Sequence, residues 1–159
     1  MPKEIERKFL VATDGWRQQA RIGSRFRQAI VLSQDDRSAR VRVIDDAEAK
    51  LTIKIGTGMT RHEFEYPIPI DEARELLALA SGTTIEKVRY EVAQAPHVWE
   101  IYVYEGALAG LVVAEIELAD EAEQPALPSW LGREVTGDHR FSNQALAEGS
   151  LGGNWRDAL

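Results

Sequence analysis

The amino-acid sequence predicts an α+β protein built on an antiparallel sheet. Eight segments alternate apolar and polar residues with a period of two, which is typical of half-buried strands, whereas helical periodicity is confined to a few short stretches. Strands that follow one another with only occasional helices favour an antiparallel sheet over a parallel one. The chain of 159 residues has the length of one domain, and we expect residues 1–159 to form it, with 149–159 as a loosely held tail.

The predicted strands are short segments of alternating pattern separated by turn residues. They cover residues 4–11, 25–33, 38–44, 50–55, 62–70, 84–93, 97–105 and 110–118. The glycine-bearing stretch between the fourth and fifth strands, Gly-Thr-Gly-Met-Thr-Arg, predicts a hairpin loop.

Helical or turn character is found in four further places. These are residues 14–20, 71–80, 120–124 and the stretch from Asp138 to Gly149. Asp71 is expected to cap the second of them, and Ser81-Gly82 to end it. Amphipathic helices of this kind can cover an apolar sheet face.

Composition excludes several classes of protein. Nineteen Lys and Arg against 26 Asp and Glu give a net charge of −7 and a pI near 5.0, which argues against wrapping nucleic acid or coating an anionic membrane. The absence of cysteine excludes disulfides, thiol nucleophiles and cysteine metal sites. No apolar run approaches the ~20 residues of a membrane span, and the charged N-terminus does not resemble a signal peptide. We therefore expect a cytoplasmic protein.

One face of the predicted sheet carries an unusual number of charges, and like signs are grouped within a strand. The face holds Glu4, Glu6 and Lys8; Arg40 and Arg42; Lys50, Thr52 and Lys54; Glu63 and Glu65; Lys87, Arg89 and Glu91; and Glu115 and Glu117. In a single strand, a solvated face that prevents aggregation is a sufficient explanation.

Charge on six strands together favours a site that binds a polyanion together with metal cations. Arginine and lysine grip phosphate oxygens, and paired carboxylates hold hard cations such as Mg²⁺ or Mn²⁺. We therefore expect the charged side to face a water-filled interior and the apolar side to face outward under helices.

The segment Glu4-Ile5-Glu6-Arg7-Lys8 resembles the ExExK signature of the CYTH superfamily, the triphosphate tunnel metalloenzymes. Further segments resemble the family in the same order: RQAIVLS, ARVRV, LTIK, HEFEYPI, EKVRYEV, WEIYVYEG, LVVAEIEL and EVTGDHRFSNQALA. The resemblance covers about residues 3–148. The compact length of the chain and its EVT-x-D-x-R ending are most similar to those of the short bacterial members that hydrolyse inorganic triphosphate. It implies an eight-stranded antiparallel β-barrel, a tunnel with a charged interior and helices packed on the outside.

The resemblance also implies roles for the charged positions. The residues that would bind the triphosphate are Lys8, Arg40, Arg42, Lys54, Lys87 and Arg89. The carboxylates that would bind Mg²⁺ or Mn²⁺ are Glu4, Glu6, Glu63, Glu65, Glu100, Glu115 and Glu117. Lys8 is expected to act in catalysis, and Glu65 and Glu117 are both candidates for orienting the attacking water. The expected partner is a small polyphosphate, with no nucleic acid and no membrane, and the resemblance makes a homodimer reasonable.

Two positions depart from the family pattern. The family's W-E-x-D is Trp99-Glu100-Ile101-Tyr102 here, so that a tyrosine replaces an aspartate. A tunnel tyrosine of the short triphosphatases is matched by Ile30. Both changes bear on turnover rate and metal preference more than on fold.

Other functions compatible with these residues remain open. One is a class IV-type adenylate cyclase, and another is a non-catalytic module that binds polyphosphate or nucleotide. Thiamine triphosphate hydrolysis would need an aromatic platform, for which Trp16, Trp130 and Tyr102 are available. Asp138 and Arg140 either line the tunnel mouth or cap the last helix and pair on it.

Overall fold

The strands and the helix follow the predicted order. The computed structural model describes residues 2–142 and 145–146. Its strands are β1 (Lys3–Val11), β2 (Ser24–Gln34), β3 (Arg37–Ile44), β4 (Glu48–Ile55), β5 (Thr60–Ile68), β6 (Ile85–Gln94), β7 (His97–Tyr104), β8 (Val112–Glu117) and β9 (Leu131–Glu134). Its α-helix is α1 (Ile70–Leu79), and 3-10 helices cover Gly15–Gln19, Gly106–Leu108 and His139–Phe141. All eight predicted strands are confirmed, each within about two residues at either end.

Eight of the strands close into a ring. The antiparallel order is β5-β4-β3-β2-β6-β7-β8-β1, and β1 pairs back onto β5 through Lys3–His62, Glu4–Arg61 and Ile5–Thr60. Because side chains alternate along each strand, closure separates an interior face from an exterior face. The charged side chains face the interior, as predicted.

The ninth strand was not predicted. One edge of β1 pairs with β8, whereas the other pairs first with β5 and then, from Phe9 to Val11, with β9. The sequence of β9, Leu-Gly-Arg-Glu, is too short and too polar to carry a period-two signal.

Two apolar clusters cover the outside of the ring. Helix α1 lies on one of them, burying Ala73 and Leu77 against β2, β3 and β4. The other cluster contains Trp16, Trp99 and Trp130, and its cover is a 3-10 helix and the segment before β9. The outer covering therefore contains one α-helix among the described residues. The stretch at 14–20 is short for a stable α-helix, and it forms a 3-10 helix around buried Trp16.

Helix α1 lies within one residue of its predicted limits, but the predicted cap at Asp71 is wrong. The Ala73 amide donates to the Pro69 carbonyl, so the helical hydrogen bonds begin before Asp71 can cap them. Asp71 instead lies in the first turn, where a carboxylate is favoured by the helix dipole. The helix ends at Leu79 because Ala80 is extended, so Ser81-Gly82 lies beyond the end.

The interior is not charged throughout. At one end an apolar cluster fills the ring, with Phe26, Tyr102, Tyr104 and Val113 from the strands and Phe141 from the C-terminal segment. The expected water-filled space is therefore restricted to the rest of the interior.

Most of the predicted last helix, with Gly149 and the tail 149–159, lies outside the described residues. Within them, the Ser142 hydroxyl accepts a hydrogen bond from the Ala145 amide at 3.0 Å, as a helix cap does. In the part of the chain that the structure describes, no helix has the length and apolar character needed to cross a membrane.

Replacing Trp99 by alanine is expected to destabilise the protein by about 3–5 kcal/mol, because the cavity left between Phe9 and Trp130 cannot be filled. Trp99 is fully buried, its ring centroid lies 5.7 Å from each of theirs, and its Nε1 donates to Gln94 at 2.7 Å. Urea unfolding measures the change. Leu79→Ala is the control, since Leu79 is 82% exposed and its loss should cost less than about 0.5 kcal/mol. Equal effects of the two substitutions would contradict the packing described.

Candidate active site

The polar part of the interior holds a cavity of about 350 Å³. Lys8, Arg40, Lys54 and Arg61 bring basic groups to it, and Glu6 brings a carboxylate. The turn at 56–58 and the segment 135–139 form part of its rim. An opening of this size, lined by both signs of charge, suits a small anion accompanied by a cation.

Four carboxylates on β1, β5 and β8 form what we call the acidic wall: Glu4, Glu6, Glu63 and Glu115. Lys54 Nζ bridges two of them, lying 3.4 Å from both Glu4 and Glu63. Arg61 adds a hydrogen bond of 3.0 Å to Glu4 and lies 4.0 Å from Glu6. Two cations thus compensate one end of the wall.

The carboxylates of the wall divide into acidic and proton-holding members. Burial raises the pKa of Glu4, but a hydrogen bond from Glu63 and the charges of Lys54 and Arg61 lower it to about 2. Burial and the same hydrogen bond raise the pKa of Glu63 to about 7. Glu4 is therefore the more acidic carboxyl group of this pair, and Glu63 is the one that takes up a proton more readily.

Glu6 is the strongest proton acceptor of the acidic wall. Burial, followed by the charges of Glu115 and Glu4, raises its pKa to about 8. The pKa of Glu115 falls to about 2, because Lys8, Lys87 and Lys54 together outweigh its burial. At neutral pH Glu115 is therefore ionised and Glu6 holds a proton.

Lys8 is held both at its ammonium group and at its backbone amide. Its Nζ lies 3.3 Å from Glu115 and donates to the Phe141 carbonyl at 3.3 Å. Its backbone amide donates to Thr136 Oγ1 at 2.9 Å, and the Thr136 hydroxyl donates to Glu134 at 2.6 Å. Sequence reasoning did not identify Thr136 as a support for Lys8, although it lies in the EVT-x-D-x-R segment.

Three basic side chains on β3 and β6 form what we call the cationic group: Arg40, Arg42 and Lys87. Arg40 is 5% exposed and Lys87 is 1% exposed. Among the described residues, none of the three has a carboxylate within 4.0 Å. Burial and the charge of Arg42 lower the pKa of Arg40 to about 10 and that of Lys87 well below its usual range.

Neutral groups hold the cationic group in place. They are Thr52, which accepts from Arg40 at 3.4 Å; Gln28, which accepts from Arg42 Nε at 2.9 Å; and the ring of Tyr102, whose centroid lies 4.0 Å from Lys87 Nζ. Buried charges that lack counterions are costly, so this arrangement suits a bound anion.

The remaining predicted site residues lie farther along the interior. Glu65 pairs with Lys50 at 3.2 Å, and although burial raises its pKa, that pairing lowers it overall. Arg89 lies between Glu91 and Glu100, at 3.7 and 3.4 Å.

Glu117 is exposed at a second opening of about 340 Å³, which Arg89 and Glu100 also line. In residues 2–142 and 145–146, no three Asp, Glu or His side chains form a preformed metal-binding site. The predicted metal ligands are thus distributed along the interior and do not form one cage.

The two departures from the family pattern both lie inside the ring. The Tyr102 hydroxyl donates to Glu100 at 3.2 Å. Ile30 lines the cavity and packs against the interior apolar cluster. Trp16 and Trp130 lie in the outer cluster. They therefore do not form the aromatic platform inside the ring that thiamine triphosphate would need.

Asp138 caps the 3-10 helix at 139–141 through the Arg140 amide, and its carboxylate also pairs with the Arg140 side chain at 2.6 Å. Asp138 thus caps this 3-10 helix and pairs with Arg140, and it also lines the cavity, so features of both alternatives are present.

Glu6→Gln is expected to raise the melting temperature of the metal-free protein at about pH 8.5 and to change it little at about pH 4.5. The pKa of Glu6 is higher in the folded protein than in the unfolded chain. Its proton therefore stabilises the fold at low pH, and that stabilisation is lost as the pH rises through about 8. Melting curves in EDTA at both pH values measure this. Glu48→Gln on the exposed end of β4 is the control. A shift that is the same at both pH values would contradict the assignment.

Comparison with known proteins relates this geometry to a family. A model of the CYTH domain matches residues 2–146. The chain is 44% identical over 150 residues to an inorganic triphosphatase of Acetivibrio thermocellus, covering 93% of this chain and 95% of that protein. It is 36% identical over 151 residues to an inorganic triphosphatase of Nitrosomonas europaea, covering 91% and 96%.

The fold agrees with these matches. A crystal structure of an inorganic triphosphatase superposes with a TM-score of 0.63 at 34% identity, over 92% of this chain and 95% of that one. The family match extends over nearly the whole described chain and includes every strand of the ring. The chain therefore belongs to the CYTH family.

Proposed function

We propose that this protein is a metal-dependent phosphohydrolase that cleaves inorganic triphosphate to pyrophosphate and phosphate. The observation that carries the proposal is the cationic group inside a ring that also holds an acidic wall. Two of its three cations, Arg40 and Lys87, are buried, and none of the three has a carboxylate partner among the described residues. The names of the relatives at 44% and 36% identity support the choice of substrate.

A linear triphosphate suits the interior because its charge is spread along a chain of phosphoryl groups. Arg40, Arg42 and Lys87 offer uncompensated positive charge, and Lys8 and Lys54 add ammonium groups from β1 and β4. Arginine forks match phosphate oxygens in pairs, and lysine acts as a point charge. Arg89 would extend this contact toward the second opening.

The acidic wall fits a hard divalent cation, Mg²⁺ or Mn²⁺. Its donors are carboxylate oxygens, and Glu6 keeps a proton at neutral pH that a cation would replace. Mg²⁺ usually takes one or two carboxylates and completes its coordination with phosphate oxygens and water. One or two carboxylates of the wall, from among Glu4, Glu6, Glu63 and Glu115, would hold it, because no three Asp, Glu or His side chains of the described residues form a metal site. When bound, such a metal polarises phosphoryl oxygens and neutralises charge.

The other residues of the interior would position the reacting groups. Lys8, oriented by Thr136 and the Phe141 carbonyl, would stabilise the charge that develops on the terminal phosphoryl group. Glu65 is held as a carboxylate by Lys50 and Thr52, so it can orient and accept a proton from water. Glu117 is the second candidate for that role, approached from the second opening.

Phosphate release from inorganic triphosphate, ATP and thiamine triphosphate, each with Mg²⁺, Mn²⁺ or EDTA, tests the proposal. We expect release from inorganic triphosphate to be the fastest and to stop in EDTA, because the acidic wall then lacks its cation. If no phosphate were released from any of the three, the proposal would be wrong. A cyclic AMP assay with ATP would then separate a cyclase from a non-catalytic binding module.

Lys8→Ala is expected to lower kcat/KM for inorganic triphosphate by about 100-fold or more, since a charge clamp on the transition state is lost. The matched control is Lys3→Ala, which removes an exposed lysine from the same strand. Steady-state kinetics of the two variants, with melting curves to verify folding, make the comparison. Near-full activity in Lys8→Ala would remove Lys8 from the mechanism.

A further inference from the structure

The basic side chains of the interior are of two kinds. Five of them have a carboxylate within 4.0 Å: Lys8, Lys50, Lys54, Arg61 and Arg89. The three members of the cationic group have neutral partners instead. The acidic wall lies on the neighbouring strands β8, β1 and β5, whereas the cationic group lies on β3 and β6, on either side of β2.

Neutral partners leave the charge of the cationic group available. An anion that approaches Arg42 keeps the full attraction of the guanidinium, because Gln28 donates no competing negative charge. Lys87 is held by the face of Tyr102, which attracts an ammonium without neutralising it. A carboxylate at either position would form a buried ion pair that an anion would have to break.

The side-chain contacts of the cationic group do not include the acidic wall. Arg42 contacts Gln28 and Phe26, and Lys87 contacts the rings of Tyr102 and Tyr104. The charge of Lys87 lowers the pKa of Glu115, but no ion pair within 4.0 Å holds the cationic group to the carboxylates among the described residues. An anion can therefore bind Arg42 and Lys87 without first displacing a carboxylate.

We infer that the interior binds the triphosphate anion without a metal, and that Gln28 and Tyr102 are the specificity-determining residues that make this binding metal-independent. The inference rests on the proposed function only for the identity of the anion. The phosphate oxygens of the bound anion would add ligands for Mg²⁺ or Mn²⁺ to the carboxylates of the acidic wall.

Isothermal titration of the full chain with sodium tripolyphosphate in EDTA tests this. The wild type is expected to bind. Gln28→Glu should weaken the metal-free affinity by about tenfold or more, because the new carboxylate would pair with Arg42. Tyr102→Asp should do the same at Lys87, whereas Tyr102→Phe, which keeps the ring, should stay within about threefold of the wild type.

The same exchange at an exposed position of β2 is the matched control. Gln34→Glu adds a carboxyl group outside the lining of the cavity, and it should leave metal-free binding unchanged. If Gln28→Glu proves poorly folded in melting curves, Arg42→Gln replaces it and should also lose about tenfold in affinity.

The outcomes separate this inference from the proposed function. Hydrolysis with Mg²⁺ but no binding in EDTA would overturn the inference and leave the triphosphatase proposal intact. Binding in EDTA without hydrolysis under any metal would support the inference and overturn the proposal. Equal weakening by Gln28→Glu and Gln34→Glu would show that the neutral partners do not determine metal independence, and would also overturn the inference.

Discussion

The pairing of β1 with β5 is the contact on which the rest of the structure depends. Without it the sheet would be open, and its charged face would be solvated like that of any exposed sheet. Closure through three residue pairs puts these charges into an enclosed space where water screens them poorly. A raised pKa at Glu6 and unpaired buried cations at Arg40 and Lys87 are consequences of that enclosure.

Within this enclosed space the acidic wall and the cationic group are held in different ways. Lys54 and Arg61 compensate part of the acidic wall, whereas Thr52, Gln28 and Tyr102 hold the cationic group without neutralising it. The interior thereby has carboxyl oxygens that can bind a cation on one side and positive charge without a counterion on the other. A triphosphate with a divalent metal uses both, which is why the proposed substrate and cofactor follow from one arrangement.

The apolar parts of the molecule keep this arrangement rigid. Outside the ring, α1 and the tryptophan cluster cover two faces of the sheet. Inside it, the cluster around Phe26 and Tyr104 closes one end of the polar space, with Phe141 contributed by the C-terminal segment. The same segment fixes Lys8 through Thr136 and the Phe141 carbonyl, so the end of the chain supports the site as well as the fold.

Period-two alternation determined the eight strands and the side of each strand that carries charge, because strand geometry makes every second side chain share a face. Alternation is a local property, so it could not reveal that Leu-Gly-Arg-Glu pairs as β9 or that α1 starts after Pro69. Nor could it distinguish Glu6 from Glu4, since their different pKa values depend on neighbours from other strands. Which charges meet a partner and which remain unpaired was decided only by ring closure, which sets distances between residues far apart in sequence.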